Sequence, residues 1–197
     1  MRTSHATTTL PATHHPYARI DLQKDKKTAL LVNGAAAVVM AAMALLAHFC
    51  FVPITALFSM EDGFGPYLLR FGALMAGIIA YVVLHEATHG ATMKYFGATK
   101  LRFGFTGLYA YAGSEVDYFD KHAYLRVALA PLVVWFVVFT ALLALAPPAW
   151  FWVVYFLQMS NVSGAAGDVY VTVKCRAMPE DILVMDTGVD MTVYSAS

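Results

Sequence analysis

Long stretches of this sequence carry no charged side chain. No charge appears between Lys27 and Glu61. Asp168 is the single charge between Arg126 and Lys174. Asp, Glu, Lys and Arg make up only 13% of the 197 residues, whereas soluble domains carry about 25%. Because a small water-soluble domain needs far more charge on its surface, the sequence predicts an integral membrane protein.

Four apolar segments are each long enough to cross a bilayer, which takes about 20 residues of helix. The longest apolar run exceeds a single crossing, and Pro147 and Pro148 divide it because proline interrupts helical hydrogen bonding. The predicted spans are residues 28–52, 67–93, 122–146 and 149–173. The predicted fold is therefore a mainly α-helical, polytopic membrane protein with about four transmembrane helices.

The basic residues are concentrated in three segments that this topology places on one side of the membrane. These segments precede the first span, connect the second span to the third, and follow the fourth. Their basic residues are Arg19, Lys24, Lys26, Lys27, Lys94, Lys100, Arg102, Lys121, Arg126, Lys174 and Arg176. By the positive-inside rule this side is the cytosol. We expect a cytosolic N-terminal segment at 1–27, a membrane domain at 28–176 and a cytosolic tail at 177–197.

In two short segments outside the predicted spans, the side chains alternate between two faces as they do in the strands of a β-hairpin. The first, residues 101–112, has a turn signal at Thr106-Gly107. The second, residues 182–194, has one at Thr187-Gly188. An Asp-Thr-Gly triplet at 186–188 is present once, which cannot supply the two aspartates of an aspartic protease. We therefore expect a short cytosolic hairpin and a β-like C-terminal tail that contains a turn at this triplet.

The second predicted span contains HEATHG, in which His85, Glu86 and His89 match the pattern H-E-x-x-H. Residues four apart lie on one face of a helix, so the two histidines can bind one Zn²⁺ together. Glu86 lies on the adjacent face and can reach water bound to that metal. Ionisable side chains within a span are costly unless partnered, which favours a functional site over interhelical hydrogen bonding.

Catalytic zinc needs a third protein ligand, and the sequence offers two candidates. Asp168 is the only charged residue of the fourth predicted span. His85 and His89 lie ~13 Å and ~7 Å before the lysine that ends their span, and Asp168 lies ~9 Å before the lysine that ends its own. The three side chains therefore lie at similar depth. Glu115 is the alternative, because it follows His89 at a distance that some soluble zincins use, but it belongs to a charged loop.

Asn161 precedes Asp168 by two helical turns and therefore shares nearly the same face. Its side-chain amide can hydrogen-bond a substrate backbone or a developing oxyanion. It can equally form an interhelical hydrogen bond. The sequence leaves both interpretations open.

Taken together, these motifs resemble the site-2 protease group of intramembrane zinc metalloproteases. Their order is similar to a prokaryotic family of membrane proteins described as zincin peptidases. In that family H-E-x-x-H precedes a Gly- and aromatic-rich segment, an Asn-x-Ser-Gly…Gly-Asp stretch and an Asp-Thr-Gly tail. The matching segments here are residues 85–89, 103–112, 161–168 and 179–194. The resemblance implies zinc ligands at His85, His89 and Asp168, a general base at Glu86, and Asn161 near the substrate.

The sequence thus predicts a membrane-embedded zinc metalloprotease of the prokaryotic inner membrane. It would hydrolyse peptide bonds of membrane proteins or peptides in the bilayer, using metal-activated water and the Glu86 base. The alternative is a non-proteolytic, zinc-binding membrane protein with a role in assembly or regulation. The chain has 13 basic and 13 acidic residues, and this balance predicts no nucleic-acid partner.

Overall fold

The computed structural model describes residues 5–22, 24–107 and 110–196. This part of the chain is mainly helical, with small antiparallel sheets. Its α-helices are α1 Lys26–Cys50, α2 Phe64–Tyr95, α3 Lys121–Leu145, α4 Phe151–Gly164 and α5 Ala166–Arg176. Its strands are β1 Ala6–Thr7, β2 His15–Ile20, β3 Arg102–Phe105, β4 Ala110–Gly113, β5 Tyr118–Asp120, β6 Leu183–Asp186 and β7 Met191–Ser195. Two 3-10 helices lie at Ile54–Phe58 and Pro148–Trp150.

Among the described residues, three helices (α1, α2 and α3) are long and apolar enough to cross a membrane. They coincide with the first three predicted spans. In the most apolar 18-residue stretch of α1, no residue is buried inside the protein. Leu30 and Leu31 on this helix are largely exposed. So large an exposed apolar surface is typical of contact with lipid or with another protein.

The fourth predicted span, residues 149–173, is not one long helix. Helix α4 ends at Gly164 and α5 begins at Ala166. Each is shorter than the roughly 20 residues that cross a bilayer, so the count of four spans is not confirmed. Glycine favours a helix less than other residues do, and Gly164 and Gly167 flank the interruption.

The described chain divides into two compact units that interleave along the sequence. The first unit consists of Met1–Val32, Leu84–Pro131 and Gly167–Ser197. The second consists of Asn33–Val83 and Leu132–Ala166.

The first unit contains a five-stranded antiparallel sheet in the order β1-β5-β6-β7-β2. The predicted hairpin of the C-terminal tail is confirmed as β6 and β7, whose turn lies at the Asp-Thr-Gly triplet. The sequence does not predict β1 and β2, which pair with β5 and β7 respectively. Those two strands are short, and their partners lie more than a hundred residues away along the chain, so their pairing leaves no local pattern.

The core of the first unit lies between this sheet and the ends of the helices. Strand β7 alternates in burial with the period of two that a half-buried strand requires. Phe119, Val184 and Val193 of the sheet are completely buried. They form one apolar cluster with Met93 of α2 and Val127 of α3.

The predicted hairpin at residues 101–112 is confirmed as the antiparallel pair β3 and β4, in which Phe103 lies opposite Ala112. Its cytosolic location stays a prediction. The residues expected just beyond its turn, 108–109, lie outside the described residues. The same is true of residues 1–4, 23 and 197 of the predicted terminal segments.

The second unit is held by hydrogen bonds from α4 to backbone carbonyls. The indole nitrogen of Trp152 donates to the carbonyl of Pro53 at 3.0 Å. The hydroxyl of Tyr155 donates to the carbonyl of Met43 at 3.0 Å. Trp152 is buried together with Ala47 in the apolar cluster of this unit, so α4 is packed against the end of α1.

Phe119→Ala tests the core of the first unit. The Phe119 side chain has 0% exposure, so its removal leaves a cavity and should lower the free energy of unfolding by about 3–5 kcal/mol. Phe105→Ala is the matched control, because that side chain is 69% exposed and should change stability by less than about 0.5 kcal/mol. Unfolding of the purified protein in detergent measures both, and equal effects of the two variants would contradict this core.

Candidate metal centre

Helix α2 and the first turn of α5 bring three of the predicted ligands together. The Nε2 atom of His85 lies 3.3 Å from Oδ2 of Asp168. The Nε2 atom of His89 lies 3.5 Å from Oδ1 of the same carboxylate. The two imidazole rings, one helical turn apart, have centroids 4.9 Å from each other. Asp168 thus lies between the two histidines of the H-E-x-x-H motif.

This cluster has the chemistry and the dimensions of a zinc site. Two imidazole nitrogens and a carboxylate oxygen form a frequent donor set of catalytic zinc, which keeps a fourth position open. Tetrahedral zinc, with bonds of about 2.0–2.1 Å, holds its ligand atoms about 3.3–3.5 Å apart. The ligand atoms of His85, His89 and Asp168 all lie within 4.8 Å of one another. Their side chains are 13%, 12% and 22% exposed, so solvent has little access.

The orientation of His89 is held from its other ring nitrogen. Its Nδ1 lies 3.0 Å from the backbone carbonyl of Val127 in α3. A carbonyl oxygen only accepts hydrogen bonds, so Nδ1 must carry the proton and neutral His89 presents the lone pair of Nε2. This is the outer hydrogen bond that metal-binding histidines almost always make.

Glu86 lies beside the hairpin that follows α2. The backbone N–H of Ala112 in β4 is near its carboxylate and attracts it. Gly90, the residue after His89, leaves space for a side chain of the same hairpin. A Cβ at Gly90 would lie 2.4 Å from Cζ of Phe103. The glycine of HEATHG therefore makes room for the Phe103 ring of β3.

The turn between β6 and β7 supports the same hairpin from the C-terminal tail. The backbone N–H of Ser114 donates to the carbonyl of Asp186 at 2.7 Å. A Cβ at Gly113 would lie 2.1 Å from the carbonyl carbon of Thr187, so only glycine allows this approach. The Asp186 carboxylate accepts hydrogen bonds from the Tyr124 hydroxyl and the Gly188 N–H. Burial raises the pKa of Asp186, and these two hydrogen bonds oppose the rise.

Comparison with known families places the chain in one of them. A family model with the description "Putative zincin peptidase" matches residues 78–183. The matched segment covers more than half of the chain and contains His85, Glu86, His89 and Asp168. The chain belongs to this family. The predicted resemblance to zincin peptidases is therefore confirmed, and zinc is the metal that membership implies.

No curated protein and no solved structure matches the chain. The assignment of the chain to its family therefore rests on the family match, and the metal centre agrees with it. The more distant similarity to site-2 proteases stays a prediction.

The rival third ligand, Glu115, lies away from the histidines. Its carboxylate is 56% exposed and forms an ion pair with Arg102 of β3. An exposed carboxylate with its own cation has no need of a metal. The structure therefore favours Asp168 over Glu115 as the third ligand.

Asn161 belongs to the second unit, where both polar atoms of its amide are in hydrogen bonds. Its Oδ1 accepts from the Tyr81 hydroxyl at 3.0 Å, and its Nδ2 donates to the carbonyl of Leu132 at 3.1 Å. Both are hydrogen bonds between helices, which is one of the two interpretations that the sequence left open. A contact between Asn161 and substrate stays a prediction.

No pattern in the sequence indicates the backbone groups that lie beside the site, the Val127 carbonyl and the Ala112 N–H. The glycine of HEATHG was a visible signal that another segment approaches α2. Which segment approaches was not visible, because backbone groups carry no residue-specific signal.

Asp168→Asn and Glu115→Gln together test the choice of third ligand. Asp168→Asn replaces a charged ligand with a neutral amide that binds zinc poorly, so most of the bound zinc should be lost. Glu115→Gln removes an exposed carboxylate outside the cluster and should leave one zinc per chain. Elemental analysis of the purified proteins gives the ratio. Retention of zinc by Asp168→Asn with loss from Glu115→Gln would reverse the assignment.

Proposed function

We propose that the protein is a zinc metallopeptidase that works in the membrane and hydrolyses peptide bonds of membrane proteins or membrane peptides. One observation carries this proposal: Asp168 of α5 meets His85 and His89 on α2, a helix with the length and composition of a membrane span. Membership of a zincin peptidase family supports the reaction class. The apolar surface of α1 and α2 supports a substrate that reaches the site from the bilayer.

In this mechanism Glu86 is the general base. Zinc, when bound, polarises the substrate carbonyl and makes water more acidic. Glu86 takes a proton from the water that attacks the carbonyl carbon, then gives it to the leaving nitrogen as the C–N bond breaks. The nearby N–H of Ala112 attracts the carboxylate during both transfers. His85, His89 and Asp168 hold the metal.

The β3–β4 hairpin is a candidate for substrate binding. A helical membrane segment shields its peptide bonds and must become extended before hydrolysis. Within the described residues, β3 pairs with β4 alone, so its outer edge can accept an extended peptide by strand addition. The exposed rings of Phe103 and Phe105 on β3 offer apolar contacts for the side chains of such a peptide.

The sheet of the first unit supports four membrane crossings. Strand β2 lies before α1, β5 lies between α2 and α3, and β6 follows α5. Strands hydrogen-bonded in one sheet lie on the same side of a membrane. If α3 crosses, the segment of α4 and α5 must therefore bring the chain back. The basic residues of these connecting segments support the cytosol as that side, in the inner membrane of a prokaryote.

Glu86→Gln tests the mechanism. The amide cannot accept the proton, so hydrolysis should fall by about 10²–10⁴-fold, while zinc content stays at one per chain because the ligands are unchanged. Membrane proteins from cells that express wild-type protein or Glu86→Gln can be compared by mass spectrometry, with Glu115→Gln as a matched control. Substrates should accumulate with Glu86→Gln alone.

Two other results are informative. Cleavage retained by Glu86→Gln would refute the proton transfer described above. If wild-type protein binds zinc but no membrane protein differs between the two strains, the non-proteolytic alternative is favoured.

Reporter fusions test the topology. Alkaline phosphatase, which is active only outside the cytoplasm, should be inactive when fused after residue 196 and active when fused after Asp62, between α1 and α2. Green fluorescent protein at the same two positions should give the opposite pattern. An active phosphatase at both positions would indicate three crossings.

A further inference from the structure

Helix α3 contains one proline, Pro131, in its interior. Proline has no backbone N–H, so it cannot donate the helical hydrogen bond to the carbonyl four residues earlier. That carbonyl belongs to Val127. Val127 and Pro131 are both buried, so the carbonyl cannot turn to water, and an unpaired carbonyl in such a place is costly.

The imidazole of His89 supplies the donor that Pro131 lacks. Its Nδ1 lies 3.0 Å from the Val127 carbonyl oxygen. The opposite ring nitrogen, Nε2, lies 3.5 Å from Asp168. One hydrogen bond therefore satisfies the freed carbonyl and selects the histidine tautomer whose Nε2 is available to a metal.

Two other carbonyls of α3 show that the arrangement at Val127 is specific. Those of Leu132 and Phe136 also accept hydrogen bonds, from the side-chain amides of Asn161 and Gln158. The residues four positions after them are Phe136 and Thr140, which have backbone N–H groups. At those two carbonyls the side-chain amide adds a hydrogen bond to the helical one. At Val127 the hydrogen bond from the imidazole replaces the helical one, which Pro131 cannot make.

We propose that Pro131 is a positioning residue of the metal centre, which leaves the Val127 carbonyl free to hold His89 in its metal-binding tautomer and orientation. This inference rests on the proposed zinc site. An outer hydrogen bond of this kind raises the basicity of the ligating nitrogen and limits rotation of the ring. Pro131 itself is not one of the residues that offer a ligand atom to the metal.

Pro131→Ala tests the proposal, because alanine restores the N–H that competes with His89 for the Val127 carbonyl. In the full-length protein in detergent, chelator competition should show zinc affinity about tenfold weaker or more. The melting temperature of the metal-free protein should stay the same or rise, because alanine suits a helix interior better than proline. Nitrogen-15 NMR of labelled histidine should show that Nδ1 of metal-free His89 no longer has the signal of an N–H group hydrogen-bonded to a carbonyl.

Pro148→Ala is the control for loss of a proline elsewhere, and it should change neither zinc affinity nor the Nδ1 signal of His89. Unchanged affinity and an unchanged Nδ1 signal in Pro131→Ala would overturn the inference. A lower melting temperature together with weaker zinc binding would also overturn it, because Pro131 would then be merely structural. If wild-type protein binds no zinc, the proposed function fails, while the Nδ1 hydrogen bond of His89 still tests the role of Pro131.

Discussion

The Asp168 carboxylate between two imidazoles is the interaction on which the first unit depends. A carboxylate in apolar surroundings is stable only when it is paired or bound to a metal, since the loss of its hydration is not otherwise offset. His85 and His89 supply that partner from one face of α2, and they require a partner in turn. Because the carboxylate and the imidazoles stabilise each other, the first turn of α5 lies against the H-E-x-x-H helix. The same three groups form a site that suits zinc.

Backbone groups orient this centre. The Val127 carbonyl is free for His89 because Pro131 removes its helical donor, and the Ala112 N–H of β4 lies near the Glu86 carboxylate. Backbone atoms in packed elements move less than long side chains, so they are suitable supports for a ligand and a base. The C-terminal turn at Thr187 packs against Gly113 and holds the ribbon in place.

Much of the helical part of the fold could be predicted, because the length and hydrophobicity of α1, α2 and α3 are local properties of the sequence. The division of the fourth segment into α4 and α5 was not predicted, although Gly164 and Gly167 were visible. The strands β1 and β2 were also not predicted. A short strand is stabilised by its partner, and β2 finds that partner in β7 at the opposite end of the chain.

The sequence by itself determined the apolar helices, the H-E-x-x-H spacing and the shortage of charges that makes Asp168 conspicuous. Each of these follows from residue type and helical period within a single segment. Only the tertiary structure decided that Asp168 meets both histidines while Glu115 pairs with Arg102. It also decided which backbone groups lie beside His89 and Glu86. Such contacts join residues far apart in the chain, 38 positions for His89 and Val127, and depend on packing that local sequence does not encode.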